Sequence, residues 1–488
     1  MRNFIYLLVV LSSFLLSGYA DLLAQPAKKE AVSTKSDIKE IETYQKAMSW
    51  FQKGEAMIGT ESENSDEQME MFRKAIETYP EFLEAHYNLG LIYINRKKMK
   101  EASAEFETVL RIEADFDPDI YYLLGMTHSE AGNTREALAA IEKGLQRKPD
   151  DMAMLKILGY LQLQTNQNDA AADTLRRIAS ADPTDAEARA NLALLYYKKD
   201  EIEKAVAMYN EALNIDSKNF AARYNLGLIY VRQQKMAEAV EEFEKARVIE
   251  PENVELLERI GDTRTYLNQY AHAADVYQEA IKKGGDAKNL LPKLGLSLAN
   301  VGRIPAAIET LEKAAALDAK NPNTWFLLGD LYSDTVKPEE AIAAYRKSLE
   351  LRPDQKEIHL NLGVLYAEKE MYAEAMTELR QAAALDTNYV FAWRNIAQVA
   401  EKLADDKEAI SAHEKLISLG GGAAYNHFNL GILYARNNQP DKSIDAFAKA
   451  IEMEPVKYRE ILKEELKSVH SALDPIRFQK RFTDLLTP

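Results

Sequence analysis

Seven histidines, no cysteine and two glycine-rich bends are what this chain offers for chemistry, and their spacing decides what they can do. A helix-borne zinc site needs two histidines four residues apart, so that both imidazoles share one face. No histidines are paired in that way; His86, His359, His413 and His427 fall far apart and read as packing residues. Gly420, Gly421 and Gly422 lack the preceding strand and following lysine–serine pair of a phosphate loop, so they read as a helix stop with a loose turn. Gly284 and Gly285 read the same way. Residues 60–70 carry Glu61, Glu63, Asp66, Glu67 and Glu70 without a basic residue, but lack the glycine-marked spacing of a calcium loop. The densest basic run, Arg96, Lys97, Lys98 and Lys100, reads as a solvated turn. No catalytic, metal or cofactor site is predicted, and the chain is expected not to be an enzyme.

The elements that position these residues are set by a ladder of small side chains. Gly90, Gly125, Gly159, Ala193, Gly227, Gly261, Gly295, Gly329, Gly363, Ala397 and Gly431 follow one another at 34 residues, except for a first step of 35. A period that regular makes each unit pack on its neighbours, which predicts a solenoid. The units start at 83, 118, 152, 186, 220, 254, 288, 322, 356, 390 and 424, and the ladder is position 8 of each. In the fifth, Leu226, Gly227, Tyr230, Ala239, Phe243, Ala246 and Pro251 recur at helical spacing. They predict two short amphipathic helices, broken by the polar residues from Arg232 to Lys235 and stopped by Pro251. Small residues at positions 8, 20 and 27 are expected where the helices cross closely, because a bulkier side chain would overpack the contact.

With small residues at 8, 20 and 27 and aromatic Phe106, Tyr209, Phe243, Tyr277, Tyr345 and Phe447 at 24, the chain resembles the tetratricopeptide repeat family over eleven repeats, residues 83–457. The resemblance implies an all-α superhelix of helix-turn-helix units. Residues 47–82 fit as a degenerate repeat with a two-residue insertion, marked by Trp50, Gly54, Phe72, Ala75 and Pro80. Residues 21–46 read as a linker and an N-terminal capping helix that starts from the capping-box spacing of Asp37 and Glu40. Residues 458–488 read as C-terminal capping helices, the last starting at Asp474 and Pro475.

Residues 1–20 join Arg2, an apolar run and the small-residue exit Gly18, Tyr19, Ala20, which reads as a secretory signal; left uncleaved, the run is barely long enough to anchor in a membrane. The chain is therefore expected to be exported, periplasmic or secreted. A net charge of −16, from 61 basic and 77 acidic residues, opposes sequence-independent binding of nucleic acid.

By resemblance, positions 2, 5, 9, 12 and 13 of the first helices line the concave groove. In repeats one to five they include Tyr87, Leu91, Tyr122, Met126, Lys156, Tyr160, Leu194, Tyr197, Tyr224 and Leu228, a tyrosine-rich strip suited to binding a protein or extended peptide. The later repeats are mixed, with Glu258, Asp262, Asp330, Arg394 and Glu401 beside Phe326 and Phe428. The carboxylate clamp known in some family members is absent: Asn225 and Arg259 match in part, but Ala190, Leu194 and Glu255 replace its asparagine and lysine. The predicted function is a protein-binding scaffold, the alternative a spacer or assembly factor of the cell envelope that docks through its ends or convex face.

Overall fold

The computed structural model describes residues 35–421, 423–468 and 471–487. It is all-helical among these residues, with 26 α-helices and no strand. The signal read at 1–20 and most of the linker lie outside the described residues. Contacts divide the chain into two units, one ending at Asn219 and one beginning at Phe220. The first holds five helix pairs, from Lys35–Glu55 with Asp66–Thr78 to Ala186–Lys198 with Ile202–Ile215. The second holds seven, from Phe220–Arg232 with Met236–Ile249 to Ala424–Arg436 with Pro440–Met453, followed by Pro455–Glu465 and Lys480–Leu485.

The turn inside each repeat is built the same way eleven times. The N–H of position 16 donates to the carbonyl of position 11, as Lys235 does to Tyr230 at 2.9 Å, the six-residue closure of a Schellman motif. This closure requires position 15 to be left-handed, and its φ lies between 54° and 83° in every repeat. Glycine occupies it only at Gly132 and Gly302; elsewhere the turn holds residues such as Lys97, Gln234 and even β-branched Val336. Several first helices then start on an acceptor cap, Asp151, Asp185, Asn253, Asp286 and Asn321 each taking a backbone N–H one turn in.

Position 8 has a more specific reason to be small than a close helix crossing. A Cβ on Gly227 would stand 2.5 Å from Cε1 of Phe243, and one on Gly261 2.4 Å from Cε1 of Tyr277. The position-24 side chain of the second helix lies in the notch left by the position-8 glycine of the first. Phe106, Tyr345 and Phe447 do the same over Gly90, Gly329 and Gly431. Each such ring is almost wholly buried, which contributes about 1.5–3 kcal/mol per side chain. The pair preceding repeat one carries the notch too, Gly54 facing Phe72 at 2.8 Å.

The ends differ from the sequence expectation. Lys35–Glu55 is one helix, so the capping helix and the first helix of the degenerate pair are a single element, with Asp37 inside it and not at its cap. No breaker interrupts this stretch, and Gly54 near its end is the first glycine in it. Only part of the acidic segment 60–70 is loop: Ser65 caps Asp66–Thr78 by accepting from the Gln68 N–H, and Asp66 and Glu67 sit in the first turn, where the helix dipole favours them. The basic turn is not simply solvated, since Arg96 donates to the Asn64 carbonyl and pairs with Asp66. At the C-terminus the last helix begins at Lys480 and not at Pro475. Leu473 and Ile476 are drawn out of helical register to pack with Tyr458, Leu462 and Phe482 against Phe447 and Ile451 of repeat eleven.

Candidate functional site

Neighbouring first helices lie side by side within each unit, and side chains at the expected groove positions 2, 5 and 9 bridge to the next repeat, in part through its position 6 or helix cap. In the second unit Tyr224 donates to Glu255 at 2.7 Å, Lys293 bonds Asp262 at 2.7 Å and Glu258 at 2.8 Å, and Asn361 donates to Asp330 at 3.3 Å. Asp330 is a half-buried carboxylate that also accepts from Tyr345; burial raises its pKa above the ordinary carboxylate value. In the first unit Lys156 pairs with Asp185, the cap of the next first helix, at 2.7 Å.

The ten strip residues divide between the units, eight in the first and Tyr224 with Leu228 in the second. Tyr87, Leu91, Tyr122 and Met126 are half-buried and pack against the core of the first repeats. Tyr87 touches the rings of Phe106 and Phe116, and its burial pushes the phenol pKa up. Leu194 and Tyr197 are half-buried as well. Tyr160 is 55% exposed, its hydroxyl accepting from Gln164, and Lys156 beside it is exposed. Tyr224 stacks on Phe220 at 5.7 Å, and Leu228 packs on the same core. Six of the ten thus pack on a core, Tyr87, Leu91, Tyr122 and Met126 in the first unit and Tyr224 and Leu228 in the second, while Tyr160 is the most exposed tyrosine among them.

The histidines do more than pack. His86 bonds Glu105 through Nδ1 at 2.5 Å and the Pro80 carbonyl through Nε2 at 3.0 Å. His359 repeats the arrangement with Glu378 at 2.6 Å and Pro353 at 2.9 Å. Each ring ties the closing proline of one repeat to both helices of the next. Burial disfavours the charged ring, but the carboxylate and carbonyl outweigh it and hold both pKa values above the ordinary value. Arg223 fills the same place in repeat five and donates to Glu242 at 2.8 Å. The signal for this tether, a cation at position 4 with glutamate at 23, was present in the sequence but was masked by the packing role expected of an aromatic there. Among the described residues no three potential ligands gather to hold a metal ion, and no helix is long and apolar enough to cross a membrane.

Paired helices in register, a glycine notch filled by a ring, and first helices presenting side chains along one face define an α-α solenoid. Profiles described as tetratricopeptide repeat match residues 62–126, 122–186, 220–253, 259–322, 356–389 and 424–457, and one described as TPR repeat matches 195–234 and 337–370. The chain belongs to the tetratricopeptide repeat family. It is similar to the human protein O-mannosyl-transferase TMTC3 (26% identity over 130 residues) and to the CTR9 homolog of Arabidopsis thaliana (29% over 118). Those matches take in 26% and 23% of this chain, and the chain covers only 14% and 11% of those proteins. Among solved structures it is similar to MamA from Desulfovibrio magneticus RS-1, at 24% identity and a TM-score of 0.33, over 35% of this chain and 96% of that one. It is also similar to the C-terminal part of a TPR protein from Cytophaga hutchinsonii, at 19% identity and a TM-score of 0.43, over 49% and 98%.

Proposed function

We propose that this repeat scaffold binds an extended protein segment along the first-helix face of repeats one to four, within the first unit, without catalysis. The observation that carries the reading is the row of tyrosines at groove positions, with Tyr122 half-buried against the core and Tyr160 55% exposed; such rings present contact area at small entropic cost. Replacing Tyr122, Tyr160 and Tyr197 together by alanine is expected to abolish partner capture, measured by in-cell cross-linking and mass spectrometry, with helical circular dichroism retained. Capture that persists at the wild-type level would sink the proposal. The working place is read as outside the cytoplasm, from the segment at residues 1–20; N-terminal sequencing of protein recovered from fractionated cells tests this.

A second reading, assembly through an end of the array, is favoured by Phe478, which is 90% exposed in the C-terminal segment. Phe478→Ser with the tyrosines intact separates the two: loss of assembly in this variant alone supports docking through the end.

A further inference from the structure

Repeats ten and eleven break the packing rule of the array at one place, and the break leaves a cleft. Position 24 carries an aromatic or aliphatic side chain in ten repeats, but His413 in the tenth. Position 3 is buried in ten repeats, apolar in nine of them and Thr324 in one, but in the eleventh it is half-buried Asn426. The two departures meet: His413 Nδ1 lies 3.2 Å from Asn426 Oδ1, and Asn426 donates to the Gly421 carbonyl at 2.5 Å. On its other side His413 Nε2 bonds Glu401 at 2.9 Å, which occupies that carboxylate.

The same bend between repeats six and seven shows what is missing. There a Cβ on Gly285 would strike Leu290 at 2.7 Å and Val254 at 2.9 Å, because apolar side chains plug the space. At Gly421 a Cβ would meet no side chain among the described residues, only the backbone of Leu416 at 2.9 Å. The result is a cleft of about 390 Å³ with an apolar wall that includes Val390 and Leu416 and a polar one of Arg394, Gln398, His413 and Asn426, in the size range of sites for small groups. Arg394 is exposed, rests near the Phe391 ring at 5.8 Å, and has no ion pair or hydrogen bond among the described residues. Residues that break a local packing rule together, around a cavity and beside an unpaired cation, are expected where function outweighs stability.

We propose that this cleft binds a carboxylate, with Arg394 as its counter-charge, Gln398 and Asn426 as polar contacts and the exposed Tyr425 ring as a wall. The site is in the second unit and does not depend on the tyrosine strip. Calorimetric titration of the full chain uses two probes: sodium glutarate, and a glycine–serine nonapeptide with one central glutamate. Their controls are glutaramide and the same peptide with glutamine. Binding of glutarate points to a free small acid, and binding of the peptide alone to an acidic side chain of a partner; either supports the site. Arg394→Gln should weaken binding by about tenfold or more, as loss of one charge-assisted contact does. His413→Phe with Asn426→Leu, which restores the plug seen in other repeats, should abolish it with helical content unchanged. Equal binding of acid and amide probes, binding of neither acid, or binding that survives the plug overturns the proposal. Partner capture by the first unit is scored separately and is expected to survive the plug.

Discussion

Gly159 occupies the same rung as Gly227, yet a Cβ there would meet Leu175 at an ordinary 3.6 Å, whereas at Gly227 it would enter the Phe243 ring. Gly227→Ala is therefore expected to cost about 1–3 kcal/mol in overpacking, offset in part by about 1 kcal/mol of helix propensity. Gly159→Ala should keep only the propensity gain. Amide exchange read repeat by repeat checks both, since a long array need not unfold in one step. The histidine tethers give a second prediction. The folded pKa values of His86 and His359 lie above 6.5. Their contribution is complete below about pH 6.5 and is lost as pH rises through the raised folded values. Protection in repeats one and nine should fall as pH rises above about 6.5, and His86→Arg with His359→Arg, copying Arg223, should remove that dependence. The groups facing His86 are Glu105, Arg111 and the Pro80 carbonyl; those facing His359 are Glu378 and the Pro353 carbonyl.

For the helix pair, the sequence showed the helices and the break near Arg232, because apolar periodicity and polar runs report burial directly. The turn itself was hidden: a left-handed residue that is Lys97, Gln234 or Glu370 leaves no mark when glycine is the expected sign. Val336 is the extreme case, a β-branched residue at φ 57° and 85% exposed, where the native state holds strain with no packing in return. Val336→Gly is expected to stabilise repeat eight by about 1 kcal/mol, visible as slower exchange at the end of Pro322–Asp334. Val336→Asn should recover part of this, and a destabilised variant would contradict the strain. The capping helix misplaced at the N-terminus has the opposite origin. Continuous helix-forming sequence gives no internal boundary to read.

For the molecule as a whole, the period was legible because each unit repeats one packing solution, and the family followed from it. Exposure was less legible. Tyr87 and Tyr160 are both expected in the groove, at positions 5 and 9 of their repeats, but one packs on Phe106 and Phe116 and the other is open. The cleft near His413 escaped notice because it arises from two departures thirteen residues apart that only folding brings together. The C-terminal helices carry a prediction at this scale. Removing residues 458–488 uncovers Phe447, Ile444 and Ile451, at about 1.5–3 kcal/mol for each large side chain fully exposed. Protection should be lost first in repeat eleven and fade within a few repeats, as nearest-neighbour coupling requires. Uniform loss across the second unit would show longer-range cooperativity.

The ring and the notch it fills lie within the same 34 residues, sixteen apart, as Gly227 and Phe243 do. A copied segment of that length therefore arrives with its own lock and key, and needs from its neighbours only a compatible face. Such a chain can lengthen or shorten by unequal exchange without renegotiating its interior. It can also let one copy depart from the rule, as the tenth does at His413, while the other repeats keep it.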